Sequence, residues 1–182
     1  MICGDGVGLR LLLEDDLRLL SQWRDDEQTR AMFYSPAFIS DTGLRHWFKA
    51  LLGDPTRMWF MLQRLEDGAT IGIVGLERID YRNQIAELAG LIIAPTERKQ
   101  GWGTKTLDVL IRYSFDDLNL HRLYARIYAS NHAALCVAEK AGLKDEGVER
   151  QSTFHDWKYE DITHMAILRE EWKHESAPTT ID

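Results

Sequence analysis

Cysteine is scarce in this sequence: Cys3 and Cys136 are the two among 182 residues. Two cysteines make no disulfide framework of the kind that staples small secreted domains, so a reducing compartment is expected. No apolar run approaches the ~18 residues of a helical membrane span. No basic segment followed by an apolar one opens the chain, so no secretory leader is expected. Positive charge is in deficit: 22 Lys and Arg stand against 29 Asp and Glu, a formal net charge of −7. That balance argues against nucleic acid, which rewards clustered basic side chains. It serves solubility and mildly favours cationic partners such as amines by steering. No His or Cys spacing suggests a metal. Repeats, low-complexity stretches and linkers are absent too. One cytoplasmic domain over 1–174 is expected, with a polar, flexible tail over 175–182.

What is present is an ordinary globular composition, 45% hydrophobic and 28% charged. The elements alternate in type, which implies a mixed α/β layer. A strand is expected over 7–13 and a helix over 14–24, with Leu17, Leu20 and Trp23 on one face. A short helical turn follows over 25–30. Ser40 can cap a helix that Gly53, Asp54 and Pro55 end. Runs over 58–65, 70–79 and 85–93, separated by turn residues, suit an antiparallel meander. A long amphipathic helix over 101–118, a strand over 122–128 and a helix over 131–141 come next. Asn131 opens that last helix and Gly142 stops it. A hairpin of 148–154 and 162–168 closes the chain.

The run from Glu87 to Gly103 carries the chemistry. Gly101, Trp102 and Gly103 stand where a turn enters a helix. The first amides of a helix lack internal partners and sit in positive potential. Glycine lets the backbone approach a pyrophosphate, or simply lets a tight turn pack. Arg98, Lys99 and Gln100 lie directly before, and Thr104 directly after. Neither familiar phosphate loop fits. Thr106 stands where a dinucleotide fingerprint needs glycine, and Thr104 stands where a Walker loop needs it before Lys105. On the strand, Glu87 is a lone carboxylate in an apolar run, either cross-strand paired or functional. Gly90 marks a bulge or a close backbone approach. From Glu87 to Ile93 the strand covers roughly 20 Å at ~3.3 Å per residue. An amide-bearing pantetheine arm could bond there to Leu91, Ile92 and Ile93 as a peptide would.

These residues resemble the GNAT superfamily of N-acetyltransferases. Its acyl-CoA motif, Arg/Gln-x-x-Gly-x-Gly/Ala, is matched by Arg98 to Gly103. Its second motif is matched by Asn131 to Ala134 with Glu139, Lys140, Ala141, Gly142 and Leu143, where Leu143 replaces the usual Phe. The segment Trp23-Arg24-Asp25-Asp26, and the stretch from Asn119 to Leu123, resemble the branch acting on ribosomal-protein alanine, amino sugars and spermidine. The resemblance implies a mixed, mostly antiparallel sheet of about seven strands, flanked by helices, with splayed central strands holding acyl-CoA. It implies acetyl-CoA as co-substrate, with Asn131 and the loop as its binding residues. Glu87 is the implied base, taking a proton from a primary amine that attacks the thioester directly. The amine is a small molecule, an amino sugar or a protein N-terminus. Trp23, Arg24, Tyr34, Trp47 and His155 are expected to wall the acceptor, and a homodimer is compatible. In one respect the sequence departs from the pattern. Ala138 and Ala134 occupy the positions of the usual Tyr and Ser acids. A non-catalytic acyl-CoA-binding or regulatory module is the alternative, and Cys136 reads as a small core residue.

Overall fold

The computed structural model describes residues 1–31, 40–155 and 157–172, and of His155 the backbone alone. Eight strands form one sheet: β1 (Ile2–Gly4), β2 (Val7–Leu11), β3 (Met58–Arg64), β4 (Thr70–Asp80), β5 (Ile85–Ile93), β6 (Arg122–Tyr128), β7 (Lys144–His155) and β8 (Lys158–Leu168). Their order is β1-β2-β3-β4-β5-β6-β8-β7. Every neighbouring pair is antiparallel except β5 with β6. The helices are α1 (Leu17–Asp25), α2 (Glu27–Arg30), α3 (Asp41–Leu52), α4 (Trp102–Asp116) and α5 (His132–Lys140).

Alternation along the strands splits the core in two. On one face Phe60 and Leu62 of β3, with Leu123 and Ala125 of β6, pack against Leu107, Leu110, Ile111 and Phe115 of α4. On the other face Met61, Ile73 and Ile92 pack against Leu17, Leu20 and Trp23 of α1 and Leu44, Phe48 and Leu51 of α3. The caps follow the residue types expected to supply them. The Ser40 hydroxyl accepts from the Gly43 amide at 3.1 Å, and the Asn131 side chain accepts from the Ala134 amide at 3.1 Å.

Several expectations shift. The sheet has eight strands rather than about seven. The extra one, β1, has three residues, too few for a periodic pattern to show. The helix expected from residue 14 begins as a 3-10 turn at Glu14–Asp16, where Asp16 is bound by Arg10 at 2.6 Å and by the Leu13 amide at 2.9 Å. The closing hairpin is longer than its apolar runs suggest. Charged residues such as Asp145 and Glu146 extend β7, which is an edge strand where charge is tolerated. Cys136 is exposed on α5, not packed in the core.

Antiparallel neighbours need only a turn, but the parallel pair β5 and β6 needs a crossover, and α4 is that crossover. The pairing is brief. Ile85, Ala86 and Glu87 face Arg122, Leu123 and Tyr124, and beyond them the two strands part. The C-terminal half of β5 is therefore paired on its β4 side alone.

Candidate active site

The parting of β5 from β6 makes a fork, and Glu87 is the last paired residue at its base. On the α4 side of β5 lie Ala86 and Leu88, in the first core. Glu87 points to the opposite face, where α1 and α3 cover the β2–β5 half of the sheet. It is 9% exposed. Burial pushes its carboxyl above the ordinary range; Arg78 and Arg126 oppose this, Glu77 adds to it, and His164 opposes it weakly. Arg78 is the direct partner, with Nη1 3.1 Å from Glu87 Oε2. It reaches the carboxylate from an irregularity in β4, where the register shifts between Glu77 and Asp80 and Arg78 takes a left-handed φ of 52°. Its side chain is 63% exposed, so solvent screens the pairing.

Further along β5, Gly90 has a φ of 61°, and the β4–β5 register shifts between Ile73 and Gly75. Both readings of this glycine hold, since a bulge and a close approach coincide. A Cβ at Gly90 would lie 2.1 Å from the Trp59 ring. Trp59 is fixed by its indole N–H, which donates to Glu77 Oε1 at 2.6 Å, and Arg57 binds the same carboxylate at 2.7 and 2.9 Å. Trp47 meets Trp59 edge to face at 5.1 Å. Trp47 thus stands in an aromatic wall beside the bulge. Trp23 is 6% exposed and lies inside the second core. Arg24 is half-buried at the end of α1. Tyr34 and the side chain of His155 lie outside the described residues.

The open arm of the fork leads to Ala94, a 3-10 turn at Pro95–Glu97, and the loop that starts α4. Lys99 and Gly101 have left-handed φ values of 63° and 82°. Such alternation turns successive amides into an anion-binding concavity. No side chain caps α4. The space in front of Gly101 is clear, with nothing within 4 Å of a Cβ built there. Gly103 serves packing: its Cβ would touch Val137 of α5 at 3.3 Å. Lys99 and Gln100 are exposed beside the loop, whereas the Arg98 side chain turns back onto α2. Lys105 pairs with Asp5 at 3.3 Å and lies over the Trp102 ring. Asn131 caps α5 beside the far end of β6. The chain can therefore offer a pyrophosphate a positive helix end, offer amide hydrogen bonds along one strand, and place a carboxylate where the strands meet.

Neither Ala134 nor Ala138 brings a proton donor, and Ala138 is 2% exposed within the first core. Arg78, Trp59 and Glu77 were not among the expected site residues. A signal for Trp59 existed. Gly75 on β4 and Gly90 on β5 both stand under its ring, and glycines inside apolar strands mark a close approach. Among the described residues no group of His, Cys, Asp and Glu could hold a metal, and no helix is long and apolar enough to cross a membrane.

Residues 7–144 match the acetyltransferase (GNAT) domain family. A spermidine N(1)-acetyltransferase of Vibrio cholerae is 26% identical over 92% of this chain and 96% of its own. A putative ribosomal N-acetyltransferase of Bacillus subtilis is 30% identical over 61% of this chain and 60% of its own. Among solved structures, the Vibrio cholerae spermidine N-acetyltransferase in complex with CoA and spermine superposes with a TM-score of 0.86 at 26% identity, covering 92% of this chain and 98% of that one. Its dodecameric form gives a TM-score of 0.80 at 27% identity, covering 96% and 100%. An uncapped helix start, a strand parted from its neighbour and a family match over most of the length agree: the chain belongs to the GNAT acetyltransferase family and is an acyltransferase with acetyl-CoA as its co-substrate.

Proposed function

We propose that this protein moves the acetyl group of acetyl-CoA to a primary amine, with Glu87 as the general base. The observation that carries this reading is the position of Glu87. It is a buried carboxylate at the root of the fork, with a raised pKa, on the one strand that also leads to the α4 loop. In this reading, Lys99, Gln100 and the amides of Gly101, Trp102, Gly103 and Thr104 hold the pyrophosphate. Leu91, Ile92 and Ile93 bond the pantetheine arm, and Asn131 flanks it. An amine is mostly ammonium near neutral pH, so it needs a base before it can attack. Glu87 accepts that proton, directly or through one water, and the amine then adds to the thioester carbonyl. The amide of Leu91, next to the Gly90 bulge, is the candidate donor to the oxyanion. The thiolate leaves without a side-chain acid. Thiols ionise near pH ~8.5, so this departure needs less help than an alkoxide would.

The charge balance favours an acceptor with one ammonium at the base. Glu77 is bound by Arg57, Glu87 by Arg78, and Glu149 by Arg126 at 3.2 Å and His164 at 3.0 Å. A polyamine asks for surplus carboxylates along its length, and among the described residues this cluster has none. Trp47 and Trp59, set edge to face, supply an aromatic wall suited to a compact amine or a peptide N-terminus. Self-association fits the same reading. The Vibrio cholerae relative forms a dodecamer, and the β7–β8 hairpin here exposes Phe154, Trp157 and Tyr159. The test is a panel of monoamines, amino sugars, N-terminal peptides and spermidine, read by mass spectrometry for the gain of one acetyl group. A monoamine, amino sugar or N-terminal peptide is expected to be the best acceptor. Spermidine as the best acceptor would overturn the charge argument, and no CoA release with any amine would overturn the activity.

A further inference from the structure

Arg98 opens the donor loop in sequence, yet its guanidinium is bound to α2. Nη2 donates to Asp26 Oδ2 at 2.6 Å and to Thr29 Oγ1 at 2.7 Å, while Nη1 donates to Gln28 Oε1 at 2.7 Å. Those partners lie 69 to 72 residues earlier in the chain. Asp26 has a second task. It is the N-cap of α2 and accepts from the Thr29 amide at 3.0 Å. One carboxylate therefore both starts the helix and holds the arginine. The bond from Arg98 keeps the Asp26 carboxyl below the ordinary range, so that carboxyl stays ionised at neutral pH. Charge-assisted bonds of this kind are shorter and stronger than neutral ones.

The position of α2 gives this contact its consequence. It follows α1 directly, and α1 packs with α3 on Ile73 and Ile92, on the sheet face to which Glu87 points. The layer that Arg98 grips is thus the one that bounds the carboxylate side of the fork. Both terminal nitrogens of Arg98 are engaged there, which leaves the anion-holding part of the loop to its amides, Lys99 and Gln100.

We propose that Arg98 is a positioning residue that couples the two substrate sites. Through Asp26, Thr29 and Gln28 it fastens the donor loop to α2, so that CoA seated on the loop steadies the helical layer on the acceptor side. This rests on the reading of the loop as the CoA site. Coupling between two binding events is reciprocal, so an amine bound on the α1–α3 side tightens CoA in turn.

The experiment is amide hydrogen exchange on the full chain with and without CoA, in the wild type, in Asp26→Asn and in Arg98→Ala. Asparagine caps helices as well as aspartate does, so Asp26→Asn removes the charge while keeping the start of α2. In the wild type CoA is expected to slow exchange both in the loop over 98–104 and in α2. In Asp26→Asn the loop is protected and α2 is not. With an accepted amine in hand, Asp26→Asn is expected to raise its KM about five- to tenfold while the KM for acetyl-CoA stays within about twofold. Protection of α2 by CoA that survives in both variants overturns the coupling. So does a loss of CoA affinity of about tenfold or more in Arg98→Ala, by calorimetry, with Asp26→Asn behaving as wild type, because Arg98 is then a phosphate ligand. A loop that CoA fails to protect in the wild type sinks the donor-site reading itself and the coupling with it. That result differs from a protected loop beside an indifferent α2.

Discussion

The two ends of β5 share one strand and have opposite surroundings. Its first residues, Ile85 to Glu87, are paired on both sides, by β4 and by β6. Its last residues, Leu88 to Ile93, are paired on the β4 side alone, and that pairing is bulged at Gly90. At the closed end the ladder fixes the backbone, so a carboxylate can be buried at a defined place. At the open end the backbone is free on one edge and can bond a ligand. The lesson is that one strand can serve as both anchor and receptor, provided its neighbour leaves it at the right residue.

The sharpest way to break this comparison is Glu87→Gln. Loss of a positioned base is expected to lower kcat/KM by roughly 10²- to 10⁴-fold and to remove the acidic limb of its pH profile. A loss under about tenfold with the limb intact would leave the closed end without a catalytic role. The same variant tests the burial of Glu87. The folded state holds the Glu87 proton to a higher pH than the unfolded chain does. Its contribution to stability is therefore fully present below the unfolded value and is lost as pH rises through the folded one. Thermal melts should show Glu87→Gln gaining on the wild type as pH climbs above ~4.3.

At the open end, Gly90→Ala is expected to cost roughly 2–4 kcal/mol, from a left-handed φ together with overpacking against Trp59. Denaturant unfolding measures it, and a neutral outcome would mean that Trp59 does not rest on the bulge. Arg78→Ala joins the two ends. Without its guanidinium Glu87 is harder to ionise, so the acidic limb of kcat/KM should move to higher pH. The shift is expected to be less than about one pH unit, because the arginine is largely exposed and screened. No shift, or a shift to lower pH, would remove Arg78 from the site. The smallest effect is expected from Arg122→Ala. Arg122 faces Ile85 at the closed end and pairs with Glu146 at 2.6 Å near the surface. A change of about 0–1 kcal/mol in stability and none in activity is expected. A large loss of activity there would show that the closed end is less rigid than its pairing implies.

Much of this was legible in the residues. β5 and β6 were expected at the bounds they have, because each is a continuous apolar or alternating run between turn signals. Ser40 and Asn131 were readable as caps, because their short polar side chains can reach a free amide. The edge strand β7 was half-hidden, because a strand with one solvent face and many charges lacks an apolar signature. The placement of Arg98 could not be read at all. A motif fixes its neighbours in sequence, whereas its partners Asp26 and Thr29 come from another layer of the fold.

The sequence by itself determined most of the elements, the uncapped start of α4 and the lone carboxylate on β5, because these depend on residue type over a few positions. Only the tertiary structure decided that β5 and β6 part after Glu87, that Arg78 stands on that carboxylate and that Trp59 covers Gly90. The physical reason is distance. Each of these facts is a contact between segments far apart in the chain, set by packing and register rather than by local preference.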